Sequence, residues 1–398
     1  MDPEERQRAQ RRDRMKEEKR RQARRRKQIK MLAPYVTAAL LILILAVVLI
    51  VKGCGAIKEK KLEKEVEVAR LQAEEEAAML ALTPEPTPEP TAKVIAGMME
   101  LTVALPDLAE GYEVSDAADM QSVSEENVQS TYVSLINATT GQLIVSRNAR
   151  ERINPASMTK VLTLLVAAEN IDDLDALVTV DTVDTDYAYT NDLSIAGFEA
   201  GETVTVRDLL YGAILPSGGE CCSALARYVA GSEEDFVAMM NDRVAELGLS
   251  ATTHFTNPAG CYAADHYTTA VDISMIMKAA IENDLARQVL YAHKYTTSST
   301  DQHPDGIELS NWFLRRIEDK YTATEVMGAK TGYVPAAGNC AVSYTIVNGQ
   351  VYICATGQAH SSWRAIFDHV YIYNSCTGQN VENALDTTVI EDDGESFE

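Results

Sequence analysis

Ser157 and Lys160 stand three positions apart in NPASMTK, residues 154–160, just before the apolar run VLTLLVAAENI. Residues at i and i+3 share one face of a helix. A helix opening at Ser157 puts its hydroxyl at the positive end of the dipole, with a backbone N–H free to face an oxyanion. Lys160, one turn inside an apolar helix, loses solvent. Desolvation lowers an amine's pKa, and a neutral amine can take the proton of a serine that attacks a carbonyl. A capping serine followed by a snorkelling lysine fits the same residues, so the motif alone decides nothing.

Ser217 lies in LPSGGE, residues 215–220, between a proline and two glycines. It reads either as part of a plain turn or as a second hydroxyl delivered to the Ser157–Lys160 pair. Lys330-Thr331-Gly332 lies in GAKTGYV. On a strand, Lys330 and Gly332 face the same way. The lysine offers positive charge to a carboxylate, and the glycine lets a peptide lie close along the strand. An ordinary edge strand carrying a lysine is the plainer reading.

These residues need elements to position them. STYVSLINATTGQLIVSRNA, residues 130–149, predicts two strands around Thr140-Gly141. The apolar helix after Ser157 follows, then further helical segments including VRDLLYGAIL, CCSALARYVA and DFVAMMNDRVAELG. GAKTGYV, NCAVSYTIVNG and QVYICATG predict three late strands, with Asn348-Gly349 as a hairpin turn between the last two. SSWRAIFDHVYIYN predicts a closing amphipathic helix. The order implies an α/β (α+β) domain over residues 128–376: one antiparallel sheet whose first and last strands pair, flanked by helices.

The first 127 residues are poor in globular signal. Residues 1–30 hold fourteen Lys/Arg and six Asp/Glu, a balance of +8 in a chain of net charge -23. Residues 31–51 carry no charge and are long enough to cross a bilayer as a helix. The basic block predicts a cytoplasmic N-terminus and a single-pass protein whose bulk lies outside. A signal peptide is the rival, but no A-x-A site follows. Cys54 raises a lipid anchor, which Lys52 disfavours. Residues 52–82 read as a charged helical stalk, and 83–127, with TPEPTPEPT, as a Pro-rich and acidic linker. Residues 377–398, with seven acidic and no basic residues, read as a disordered acidic tail. The acidic bulk argues against nucleic-acid binding. Six cysteines lie in the globular part, and sequence does not choose between disulfides and free thiols.

Taken together, S-x-x-K, a second serine motif and K-T-G resemble the signature of penicillin-binding proteins and serine β-lactamases. The chain most resembles the D-alanyl-D-alanine carboxypeptidases, the low-molecular-weight penicillin-binding proteins of bacterial walls. The resemblance runs from about Ser130 to Tyr373 and includes THFTNPAGCYAADHYTTA. It implies the fold shared with serine β-lactamases, and Ser157 as nucleophile, Lys160 as its base and Ser217 as a proton relay. It implies Lys330 and Thr331 holding a terminal carboxylate, Gly332 leaving room for the peptide, and the N–H groups of Ser157 and Tyr333 as oxyanion hole. The implied partners are peptidoglycan stem peptides ending in D-Ala-D-Ala, β-lactams as covalent inhibitors, and the bacterial cell membrane through residues 31–51. No cofactor is implied. One position departs: Gly219 stands where the family's Ser-x-Asn motif has asparagine.

Two rivals share these residues. A weakly active or inactive membrane-tethered sensor of wall peptides or penicillin fits Gly219. A β-lactamase needs a group that drives fast deacylation, and no convincing glutamate-asparagine pair lies between Gly219 and Lys330. A metallopeptidase is disfavoured, since no H-E-x-x-H occurs and His266 reads as structural.

Overall fold

A computed structural model describes residues 104–378, apart from 319, 321 and 323. The first part holds β1 (Ser115–Gln121), β2 (Tyr132–Asn137), β3 (Gln142–Arg147), a 3-10 turn (Ala156–Thr159) and α1 (Lys160–Asn170). Next come β4 (Leu177–Thr179), α2 (Thr182–Thr190), β5 (Thr203–Thr205), α3 (Val206–Ile214), α4 (Gly219–Ala230) and α5 (Glu233–Glu246). Then follow α6 (Ala270–Glu282), α7 (Asp284–Tyr291), β6 (Lys294–Thr296), β7 (Glu308–Ser310) and α8 (Trp312–Ile317). The chain closes with β8 (Val326–Val334), β9 (Gly338–Val347), β10 (Gln350–Ala359) and α9 (Ser362–Cys376).

The main sheet is ordered β1-β3-β2-β10-β9-β8. Early β2 pairs antiparallel with late β10, as the sequence order predicts. Asn348 and Gly349 turn the chain between β9 and β10 with φ of 50° and 75°, the left-handed values a tight hairpin requires. Alternate residues supply two cores. Val351, Ile353 and Ala355 of β10 join the apolar cluster completed by α1 and α3 to α7. Tyr352 and Cys354 face the other way, toward α8 and α9. The sheet is thus covered by helices on both faces. Nine successive residues of α1, Lys160 to Ala168, are buried, so this helix runs through the interior.

The expected linker differs from the structure in its described part. β1 pairs parallel with β3 at the sheet edge. Leu105, Leu108, Tyr112 and Val114 pack on the main core. Tyr112 donates to Glu282 at 2.6 Å, with Lys278 over its ring at 4.5 Å. Acidic residues around a few apolar ones hid a strap whose partners are distant in sequence. The expected cytoplasmic segment, membrane span and stalk, residues 83–103 of the linker, and residues 379–398 of the tail lie outside the described residues. Among the described residues no helix is long and apolar enough to cross a membrane. All six described cysteines are free thiols.

Candidate active site

The turn that carries Ser157 is built by its neighbours. Asn154 Oδ1 accepts from Ala156 N at 3.0 Å, and Pro155 O accepts from Met158 N at 3.0 Å. Ala156 adopts φ 44°, a left-handed value unusual for a residue with a side chain. The helix proper starts at Lys160, so the serine stands in the 3-10 turn just before it rather than at its first position.

Lys160 is fully buried. Its Nζ donates to Ser157 Oγ at 2.9 Å and to Ala259 O at 2.8 Å. Burial pushes its pKa below the ordinary lysine value. The thiols of Cys222 and Cys261 could offset this only as thiolates, and burial holds Cys222 up at about 11. The amine therefore loses its proton more readily than an exposed lysine.

Lys330 lies on β8, the far edge strand of the sheet, and is 2% exposed. Its Nζ donates to Ser217 Oγ at 2.9 Å and to Thr331 O at 3.0 Å. Burial, and then the charge of Lys160, push its pKa well down. Ser217 has φ 69° and follows Pro216; Gly218 N donates to Gly212 O at 2.8 Å and pins the turn. Ser217 thus bonds Lys330, a partner that the sequence reading, which delivers it to the Ser157–Lys160 pair, does not name.

Gly332 joins the two halves. A Cβ there would lie 2.8 Å from Ser157 N, 2.9 Å from Cys340 Sγ and 3.0 Å from Pro155 O. The missing side chain makes room for the turn that carries Ser157. Thr331 is half-buried, and Tyr333, exposed, follows on the same strand.

Gly219 is the first residue of α4, and its N–H donates to Ser194 O at 2.8 Å. The adjoining strap is held by Glu220, whose Oε1 accepts from Ala196 N at 2.6 Å and Gly197 N at 3.0 Å. The paired cysteines pack the same turn. Cys221 Sγ fills the space beside Gly212 and Gly218, and Cys222 Sγ donates to Gly218 O at 3.3 Å.

Sequence reasoning missed the floor of the site. Asn257 Oδ1 accepts from the N–H groups of Ala259, Gly260 and Cys261 at 3.2, 2.7 and 2.9 Å. This tight turn aims Ala259 O at Lys160. At Gly260, φ is 88° and a Cβ would sit 1.9 Å from Ala156 O, so only glycine fits. The signal was present as Asn-Pro-Ala-Gly, a turn sequence whose partner no local pattern reveals. Among the described residues no His/Cys/Asp/Glu group could hold a metal ion.

The pattern of a family described as D-alanyl-D-alanine carboxypeptidase matches residues 119–360. The carboxypeptidase DacF of Bacillus subtilis is 31% identical over 208 residues, covering 52% of this chain and 51% of that protein. The D-alanyl-D-alanine carboxypeptidase of Streptomyces sp. K15 is 31% identical over 226 residues, covering 55% of this chain and 77% of that one. The crystal structure of the Streptomyces K15 DD-transpeptidase superposes with TM-score 0.58 at 28% identity, covering 63% of this chain and 98% of that chain. Against DacF, and against several other curated relatives, the chain spans about half of the relative's length.

Proposed function

The chain belongs to the D-alanyl-D-alanine carboxypeptidase family, and on that footing we propose that it is a serine-type carboxypeptidase removing the terminal D-alanine from peptidoglycan stem peptides. The observation that supports this most is the approach of two serine–lysine pairs, Ser157–Lys160 and Ser217–Lys330, across the backbone contact of Gly332 with Ser157.

In this reading Ser157 Oγ attacks the carbonyl carbon of the penultimate D-alanine while its proton passes to Lys160 Nζ. Backbone N–H groups of Ser157 and Tyr333 face the oxyanion. The C–N bond breaks, and the leaving amine takes, by way of Ser217, the proton that Lys160 received, which leaves Lys160 neutral for the next step. Water then attacks the ester, gives its proton to Lys160, and releases the shortened peptide with Ser157 restored. Lys330 and Thr331 hold the substrate's terminal carboxylate. That carboxylate supplies the counter-charge which buried Lys330 lacks, so it draws the proton onto Lys330. Two buried amines resist being charged together, and Lys160 is left neutral to act as base. A β-lactam acylates Ser157 by the same attack, with its ring C–N bond opening. Every proton has a side chain or water to carry it, so the scheme routes no step through a cofactor.

Residues 31–51 would anchor the protein in the bacterial cell membrane, N-terminus inside, with the domain beside newly made wall. A second reading, a wall-peptide or penicillin sensor with little turnover, draws on Gly219, where no side chain reaches the substrate. Purified full-length protein incubated with a D-Ala-D-Ala pentapeptide separates them. The enzyme reading expects free D-alanine, and a fluorescent penicillin that labels wild type but not Ser157→Ala. Labelling without D-alanine release favours the sensor, and no labelling at all defeats both.

A further inference from the structure

His266 is buried at 1% exposure and sits in a segment clamped between two others. Ile153 bridges Thr268 on one side, and His254 bridges Tyr267 on the other. The imidazole reaches both pieces of backbone that seat the nucleophile. Thr256 N lies 3.1 Å from Nδ1, and a backbone amide can only donate, so Nδ1 is the bare acceptor. The ring proton is therefore on Nε2, 2.9 Å from Thr159 Oγ1. Thr159 spends its own proton on Ala156 O at 2.7 Å. The bonds thus run in one direction: from Thr256 N–H to the ring, from the ring to Thr159, and from Thr159 to the carbonyl just before Ser157.

We propose that His266, as the neutral Nε2–H tautomer, is a positioning residue for acyl transfer. It locks the Ala156–Ser157 peptide to the 256–261 turn that presents Ala259 O to Lys160. The inference rests on the acyl-transfer reading above. Its physical need is clear in the geometry. Ala156 is held at φ 44°, and Gly260 touches its carbonyl, so the two segments must keep register for Ser157 Oγ, Lys160 Nζ and Ala259 O to stay within 3.5 Å of one another. Thr163 Oγ1, donating to Pro258 O at 2.6 Å, ties α1 to the same turn one helical turn further on. A protonated ring would set Nδ1–H against Thr256 N–H and break the relay. The groups around the ring oppose that state. Thr159 faces Nε2, Thr256 and Asn257 face Nδ1, and Phe255 packs edge-on at 5.3 Å. Burial, helped by His254 and opposed by Asp265, holds the ring down at about 4.

The test uses full-length protein in two arms. In ¹⁵N-labelled wild type, the His266 ring, identified through its loss in His266→Gln, should show a neutral imidazole protonated at Nε2 and unchanged from about pH 6 to 9. In the kinetic arm, Thr159→Val and His266→Phe should slow labelling by a fluorescent penicillin by about tenfold or more, with initial binding within about twofold. His266→Gln keeps a donor for Thr159 and an acceptor for Thr256, and should recover the rate to within about threefold of wild type. A ring protonated at Nδ1, or one that titrates in that range, overturns the inference. So does wild-type labelling speed in Thr159→Val, or a His266→Gln variant that melts like wild type yet labels as slowly as Thr159→Val. Should His266→Phe not fold, Thr159→Val and His266→Gln decide the outcome. A wild type that takes no label at all brings down the acyl-transfer reading itself, an outcome separate from indifference to these substitutions.

Discussion

Leu193 occupies the space into which a side chain at Gly219 would project: a Cβ there would lie 2.6 Å from Leu193 Cδ1 and 2.9 Å from Leu193 Cβ. The glycine and the leucine form a fitted pair. The departure at 219 is thus not an empty place in the site wall but one filled from the adjoining strap, which Glu220 fastens through Ala196 and Gly197.

It follows that Gly219→Asn alone does not restore an amide to the site. Asparagine collides with Leu193 and should destabilise the protein by about 1–3 kcal/mol, the usual range for overpacking. Leu193→Ala removes the closer contact, at Cδ1, and leaves the one at Cβ, so the double variant should regain part of the loss and be more stable than the sum of the two single effects, with a coupling of about 1 kcal/mol. Thermal melts of the four proteins check this. Strict additivity would show that the contact carries no weight.

Gly332→Ala tests the junction between β8 and the turn that carries Ser157. The new methyl meets backbone atoms of Ser157 and Pro155, which cannot swing away as a flexible side chain does. A displacement near 1 Å at a reacting group can lower rates by about 10²-fold. Penicillin labelling should fall by at least about that factor, while Lys330 and Ser217 keep their contact. Unaltered labelling kinetics would mean that the strand and the turn are free to part.

How much of this was legible in the sequence depends on how local each signal is. Asn348-Gly349 and the alternating strands beside it are local, and β9 and β10 were readable as a hairpin. Ser157 and Lys160 lie within one turn of chain, so their pairing could be read off their spacing. Ser217 could be read as a site residue, but its bond to Lys330 could not, because that contact depends on how β8 packs beside the 215–220 turn. Ala259 O, the Asn257 turn and His266 lie about a hundred residues from Ser157 and act through backbone groups or buried ring nitrogens, which no motif spells out. The strap before residue 128 went unread for the same reason. Its apolar residues are few, and what makes them structural is the core they meet.

That strap can be removed. A chain beginning at residue 128 loses β1 and the packing of Leu105, Leu108, Tyr112 and Val114, while one beginning at residue 104 keeps them. At about 1 kcal/mol for each half-buried apolar side chain, the loss is roughly 3–5 kcal/mol. For a domain of this size that is a fall of about 10 °C in melting temperature. Equal melting of the two proteins would return these residues to the linker.

Lys330→Met separates the lysine's proposed role in substrate binding from its effect on stability. On the proposed role, loss of the amine leaves Thr331 alone to hold the substrate carboxylate, so D-alanine release should drop by about 10²-fold or more. Stability should move the other way. The folded protein holds Lys330 well below its ordinary pKa, through burial and then the charge of Lys160. Between that lowered value and about 10.4, this position binds more protons in the unfolded chain than in the folded one, so its contribution to wild-type stability climbs as pH rises. The cost of burying the amine is therefore present at neutral pH and vanishes near pH 10.4. Methionine escapes it, and should melt higher than wild type at pH 7, by about 1–4 kcal/mol in stability. The gap should narrow as pH is raised toward about 10.4. Melting curves across that range check both points: a variant less stable than wild type at pH 7, or a gap that ignores pH, would place Lys330 among the fold's supports rather than its functional strains.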